Sequence, residues 1–200
     1  MFLSMNWIQD FVDLTGLDKI ELIHKFSLST AEVENEIFFK GSDISGIVVA
    51  EIMEVADHPE SKKLHLLKVD AGDGKLTDVV CGAPNVRVGM KTAFAKLGAQ
   101  IGDITIAPRD LAGYTSHGMC CSEKELGISD ENSGIMELDP SLANGTDLKS
   151  IFDIDDIIFE VDNKSLTNRP DLWGHYGIAR EFAALTGQEL KALPIAEPDY

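Results

Sequence analysis

Cysteine is scarce and odd in number: Cys81, Cys120 and Cys121 are the three in 200 residues. The adjacent pair is awkward for ordinary disulfide geometry, so all three read as thiols and the chain as one from a reducing compartment. Basic residues are also in short supply, 17 against 34 acidic ones. Divided after Lys40 and after Ile151, the chain carries net charges of −4, −7 and −6 in succession. No segment is basic, which argues against a free-standing DNA or RNA binder and leaves room only for a local basic patch. Apolar runs stay well short of a membrane span. The opening MFLSMNWIQDFVD has no basic region, reaches acid by Asp10 and shows no small-residue cleavage pattern. The expected location is the cytoplasm, with neither membrane nor DNA as a partner.

Cofactor motifs are lacking too. No CxxC pair occurs, and His24, His58, His65, His117 and His175 fall outside HExxH or zinc-finger spacing. Asp153, Asp155 and Asp156 lack the glycine and terminal glutamate of a calcium loop, so they read as a solvated acidic turn and no metal site is expected. Gly72, Gly74, Gly82 and Gly89 compose no phosphate-cradling motif. No nucleotide or other cofactor is expected within these residues.

Helical spacing governs both ends of the chain. Ser4 is placed to cap a helix with Trp7, Ile8, Phe11, Val12 and Leu14 at helical intervals, closed by Gly16. Asp18 and Glu21 form a capping-box pattern ahead of a stripe of Leu22, Ile23 and Phe26, and Val33 to Phe39 looks extended. Near the other end, Ile157 to Val161 is β-rich. LWGHYGIAREFAALTG then places Ile178, Phe182 and Leu185 on one helix face, with Gly187 at the C-cap. Gly174 and Gly177 would each weaken this helix by about 1 kcal/mol, for which close packing against a neighbour is a reason. Arg169 and Asp171 in NRPD invite an active-site reading, against which Asp171 reads as a helix-start cap that favours the dipole.

Between these ends the pattern changes to short strands separated by turns: 44–55, 64–69, 78–81, 92–97, 104–107 and 134–138. Five or six such strands with one small helix suit an OB-type barrel. The expected fold class is therefore α+β. An OB-fold barrel over 41–151 is inserted into a discontinuous helix-rich domain of 1–40 and 152–193, neither half of which would easily hold a core alone. Residues 194–200 read as the start of a linker, and the chain as a piece of a longer one.

The run AGYTSHGMCCSEKELGI, 112–128, holds the residue types of a nucleophilic site, with His117 beside Cys120 and Cys121. A base so near its thiol in a turn, with no orienting acid, makes an independent thiol enzyme the weaker alternative. Ser122 with Glu125 is a capping box and Gly127 a helix end, so the run reads as a loop and a capped helix bearing inert thiols. No catalytic residue is expected. The stronger candidates are the cations Lys62, Lys63, Lys68, Arg87, Lys91, Lys96 and Arg109, which an OB barrel would use to track a nucleic-acid backbone. Solvated lysines are the competing explanation, and only Phe94 and Tyr114 are at hand for stacking.

HPESKKLHLLKVDAG, VVCGAPNVRVGMKTAFAKLGAQI, SHGMCCSEKELGI and LTNRPDLWGHYGIAREFAALTG occur here in the order found at the N-terminus of the bacterial phenylalanyl-tRNA synthetase β subunit, which the chain resembles over nearly its whole length. The resemblance implies an OB-fold tRNA-binding domain within a discontinuous helical domain, serving an enzyme that attaches phenylalanine to its tRNA. It also implies tRNA and a synthetase α subunit as partners in an α2β2 assembly, with ATP and magnesium used by the full enzyme outside this segment. Leu111-Ala112-Gly113 replaces a commoner Leu-Arg-Gly and Ser61-Lys62-Lys63-Leu64 the usual Ala-Asp-Lys-Leu, so the first change removes a positive charge. An independent tRNA-binding OB module is the alternative, and helical wrapping on both sides counts against it.

Overall fold

The structure, a computed structural model, describes residues 1–193 except the side chains of residues 35 and 36; the expected linker at 194–200 lies outside the described residues. In chain order the elements are β1 (Phe2–Ser4), α1 (Met5–Gln9), α2 (Lys19–Ser29), β2 (Val33–Lys40), β3 (Ile44–Asp57), β4 (His65–Asp70), β5 (Leu76–Cys81) and β6 (Lys91–Ile101). There follow β7 (Ile104–Thr105), β8 (Arg109–Leu111), β9 (Tyr114–Ser116), β10 (Gly118–Cys120), β11 (Glu137–Leu138), β12 (Asp156–Val161) and α3 (His175–Thr186). They make two compact units, one of Met1–Lys40 with Asp155 onward, the other of Gly41–Ile154. Among the described residues no helix is long and apolar enough to cross a membrane.

The first unit is a three-stranded antiparallel sheet, β1-β12-β2, packed on helices. Period-2 alternation turns Leu3, Phe159 and Val161 inward, where they meet Leu22, Ile23 and Phe26 of α2 and Ile178 and Phe182 of α3. Phe26, Phe159 and Phe182 form an aromatic triad with ring centroids 5.6 to 6.3 Å apart. Local capping chemistry starts the helices: Ser4 Oγ accepts from the Trp7 N–H at 3.0 Å, and Asp18 Oδ1 from those of Ile20 and Glu21. The first helix is shorter than its apolar spacing predicts, because after Gln9 the chain turns and Val12 bridges to Leu190. Gly187 ends α3 in the left-handed conformation, φ +74°. Asp171 does not cap amides. It binds Arg169 Nε at 3.0 Å and Arg180 at 2.7 Å, and Arg169 also reaches Glu181.

The second unit is a seven-stranded antiparallel sheet with the path β10-β6-β3-β4-β5 and β7 and β11 added to β6. The long strand β3 serves two neighbours, pairing β6 through its first half and β4 through its second, with register shifts at Ser45/Ile47 and Ile52/Glu54. Such irregularities bend a strand and let one sheet curl. The sheet's ends meet: the His117 N–H donates to the Asp78 carbonyl at 2.9 Å and that of Val80 to Ser116 Oγ at 3.1 Å. Inside lie Val48, Ala50, Ile52, Leu67, Val69, Val79 and Phe94. The opposite face of β3 and β6, with Ile47, Val49, Ala93 and Ala95, is covered by Cys121, Leu126, Met136, Leu138 and Leu148.

Sequence and structure part in the segment 109–128. Residues 109–116 form a hairpin, β8 with β9, and 118–120 a further strand, where only a loop was expected. The capping box of Ser122 and Glu125 is present, with Ser122 N–H donating to Glu125 Oε2 at 2.7 Å and the Glu125 N–H to Ser122 Oγ at 3.3 Å. No helix follows it. Gly127, at φ +63°, closes the run after a single turn, too short to repay helix nucleation.

Candidate functional site

Charge pairing sorts the seven cations. Lys68 Nζ lies 2.7 Å from Asp78, which raises the lysine pKa, and Arg87 is bound to Glu137. Lys91, 11% exposed, is held 2.8 Å from Glu51. These three already have a counter-charge within the protein. Lys62, Lys63, Lys96 and Arg109 form no ion pair among the described residues, and all but the half-buried Lys96 are exposed.

A cavity of about 560 Å³ lies along β3, β4 and β5, and none of the four unpaired cations lines it. Val55, Leu66 and Val80 give it an apolar lining, and Tyr114, Thr115 and His117 enclose it from the hairpin side. Two contacts make the surface continuous. The Tyr114 ring meets His58 at 5.0 Å in a T-shaped contact, joining the hairpin to the β3–β4 loop that bears Lys62 and Lys63. His117 also lines a neighbouring hollow with Lys96. His58 itself is buried and accepts the Glu60 N–H on Nδ1 at 3.1 Å, which leaves its proton on Nε2.

Tyr114 enters this site through the turn before it. Ala112 at φ +49° and Gly113 at φ +87° are the two central residues of a tight hairpin, the geometry of a type I′ turn. The short X-Gly dipeptide between Leu111 and Tyr114 was the only signal in the sequence. Three-residue strands are too brief for periodicity to show.

Strand alternation separates His117 from Cys120: Ser116, Gly118 and Cys120 point inward while His117 is exposed. Cys121 is fully buried in the cluster on the other face of β3 and β6. Burial holds Cys120 well above the usual thiol range and pushes Cys121 up to about 12, so neither supplies a thiolate. Ser116 Oγ is committed to the Val80 N–H and the Gly118 carbonyl. Among the described residues no group of three His, Cys, Asp or Glu side chains is arranged to hold a metal ion.

A family model described as "Putative tRNA binding domain" matches residues 47–147. The phenylalanine–tRNA ligase beta subunit of Bordetella parapertussis is 40% identical over 195 residues, covering 96% of this chain and 24% of that protein. Its counterpart in Francisella tularensis is 41% identical over 200 residues, 99% of this chain and 25% of that one. The chain thus spans about a quarter of the length of the curated relatives it matches. Among solved structures, the C-terminal domain of Plasmodium vivax p43 superposes with a TM-score of 0.39 at 19% identity, over 53% of this chain and 59% of that one, and a likeness this loose carries no argument.

Proposed function

The chain belongs to the tRNA-binding-domain family, and on that premise we propose that it is the N-terminal part of a phenylalanine–tRNA ligase β subunit, with an OB-type barrel in Gly41–Ile154 that helps to hold tRNA. The observation that carries this reading is the extent of the similarity, which takes in the NRPD segment and α3 as well as the barrel. In this reading the discontinuous unit is a scaffold, and the enzyme works in the cytoplasm. A smaller α subunit joins it in an α2β2 assembly and handles ATP, magnesium and phenylalanine. Attachment of phenylalanine to tRNA is chemistry for other parts of the enzyme.

Electrostatics sets the scale of tRNA binding by the chain. Four unpaired cations correspond to a log–log salt slope of about −3 to −4, or roughly a hundredfold loss of affinity between about 50 and 200 mM salt. Titration of tRNA at several salt concentrations reads this directly. Lys62→Glu with Lys63→Glu should flatten the slope by about 2, whereas Arg87→Ala, which frees only a paired charge, should leave it unchanged. Equal effects from the two variants would count against this interface. Failure of the longer polypeptide to copurify with a smaller synthetase subunit would overturn the ligase reading.

A further inference from the structure

Both tryptophans of the chain belong to the first unit, and both are more than half exposed, Trp7 at 54% and Trp173 at 57%. Tryptophan is highly buried on average, and an exposed one is the residue type that most often anchors a protein partner. Each ring is held in advance. Trp7 lies flat on the His175 imidazole, with centroids 4.0 Å apart and planes at 22°, and the Trp173 indole N–H donates to the Leu166 carbonyl at 3.2 Å. Trp173 is two residues from His175, so their Cα atoms lie within about 7 Å and the two indoles share one corner of the unit. His175 covers one face of Trp7 and leaves the other to solvent.

The surroundings are acidic. Asp156 accepts from the Ser4 hydroxyl at 2.5 Å and from the N–H groups of Asn6 and Ile157 at 3.0 and 2.8 Å, yet forms no ion pair among the described residues. Burial lowers the His175 pKa and the Asp156 charge opposes that fall, so this carboxylate acts at short range on the ring beneath Trp7. The whole unit holds 16 acidic against 7 basic side chains, and Arg169 and Arg180 are committed to Asp171 and Glu181. Such a field repels a polyanion, whereas a cation gains from the carboxylate and from the open indole face together.

We propose that the open face of Trp7, with Trp173 beside it, is a docking site for a segment of a partner protein that presents arginine or lysine. The cationic head sits over the Trp7 ring within the field of Asp156, and apolar neighbours on the partner cover Trp173. The site lies on the discontinuous unit and is independent of the tRNA role proposed for the barrel.

The test titrates the full 200-residue chain with short synthetic peptides in which leucine alternates with arginine, with citrulline or with glutamate, reading affinity by calorimetry and the site by tryptophan emission. The arginine peptide should bind most tightly and change the emission. Trp7→Ala should weaken it by about 5- to 30-fold, the range for a cation over an indole as the contact is desolvated, and Trp7→Phe should lose less. Trp173→Ala should also weaken binding. Far-ultraviolet circular dichroism confirms that each variant is folded, and tRNA affinity should be the same in all of them, so failure here leaves the barrel's tRNA role standing. Equal affinity of a folded Trp7→Ala chain and the unaltered one means attraction by net charge alone and overturns the proposal. A citrulline peptide that binds as tightly, or no peptide binding at all, overturns it as well. So do two other occupants: a second copy, seen as dimerisation that Trp7→Ala abolishes, and RNA, seen as protection of Trp7 from acrylamide by tRNA in a Trp173→Phe chain.

Discussion

Replacing Gly177 by alanine should destabilise the first unit, although alanine is the better helix former. An added Cβ would stand 1.9 Å from the Asp171 carbonyl oxygen and 2.9 Å from its carbon, with Leu172 Cα at 3.0 Å. The obstacle is backbone, which cannot rotate aside as a side chain would. Helix propensity favours the substitution by about 1 kcal/mol. Overpacking opposes it by about 1–3 kcal/mol and occasionally more, and a contact this short lies at or beyond the upper end. The net loss is about 2 kcal/mol, a fall in melting temperature of about 8–16 °C for a unit of this size. Both tryptophans, Trp7 and Trp173, belong to this unit, so their emission follows its unfolding without interference from the other. Gly187→Ala is the comparison: φ is +74° there and nothing lies within 4 Å, so the cost is conformational, about 1–2 kcal/mol. Asparagine, which tolerates the left-handed region, should recover much of that loss at 187 and none at 177. A Gly177→Ala midpoint at or above that of the unaltered chain would refute the steric account.

Ala112→Asn should stabilise the second unit by about 0.5–1 kcal/mol in urea unfolding, since alanine pays for its φ of +49° and Asn-Gly is the favoured pair for such a turn. Cys120 and Cys121 should resist iodoacetamide at about pH 8 until the chain is unfolded, because their buried thiols stay protonated there; prompt labelling of the folded chain would contradict this. The folded pKa values lie above the unfolded one, so the folded chain holds more protons and stability should decline as pH rises from about 8.5 towards about 12. His175 has the opposite sign. Burial lowers its pKa, against a smaller pull upward from Asp156, and its Nε2 accepts the Ser4 N–H at 3.0 Å. The unfolded chain therefore takes up the proton first, and the first unit should lose stability as pH falls below about 6.5. Trp7, stacked on the His175 ring at 4.0 Å, should report that protonation by a change in emission.

Features decided by neighbours in sequence were legible before the structure. Ser4 and Asp18 cap because the donors they serve are two or three residues away, and Gly187 ends α3 for an equally local reason. Gly177 carried its packing role visibly, as a glycine placed where it weakens a helix. Gly174 carried a different one: nothing lies within 4 Å of its added Cβ, and its φ is +131°. The pairing of Lys68, Arg87 and Lys91 was hidden, since Asp78, Glu137 and Glu51 reach them only through strand register and tertiary contact. Asp171 looked like a cap because it stands near a helix start, yet two guanidinium groups outcompete the amides for it. The hairpin that delivers Tyr114 escaped notice for want of length.

The middle strand of the first unit's sheet is the last of the three to be made. β12 lies between β1 and β2, and Phe2 pairs with Glu160. On the ribosome, both outer strands must wait while about 120 further residues are added, about 6–24 s at about 5–20 residues per second. Throughout that delay their apolar faces and unpaired backbone edges have no sheet to join, the condition under which strands from different chains associate wrongly. Prompt folding of residues 41–154 draws the ends of that long excursion together and so lowers the entropy of the final closure. Mutations that slow the second unit should therefore appear first as aggregation of the other.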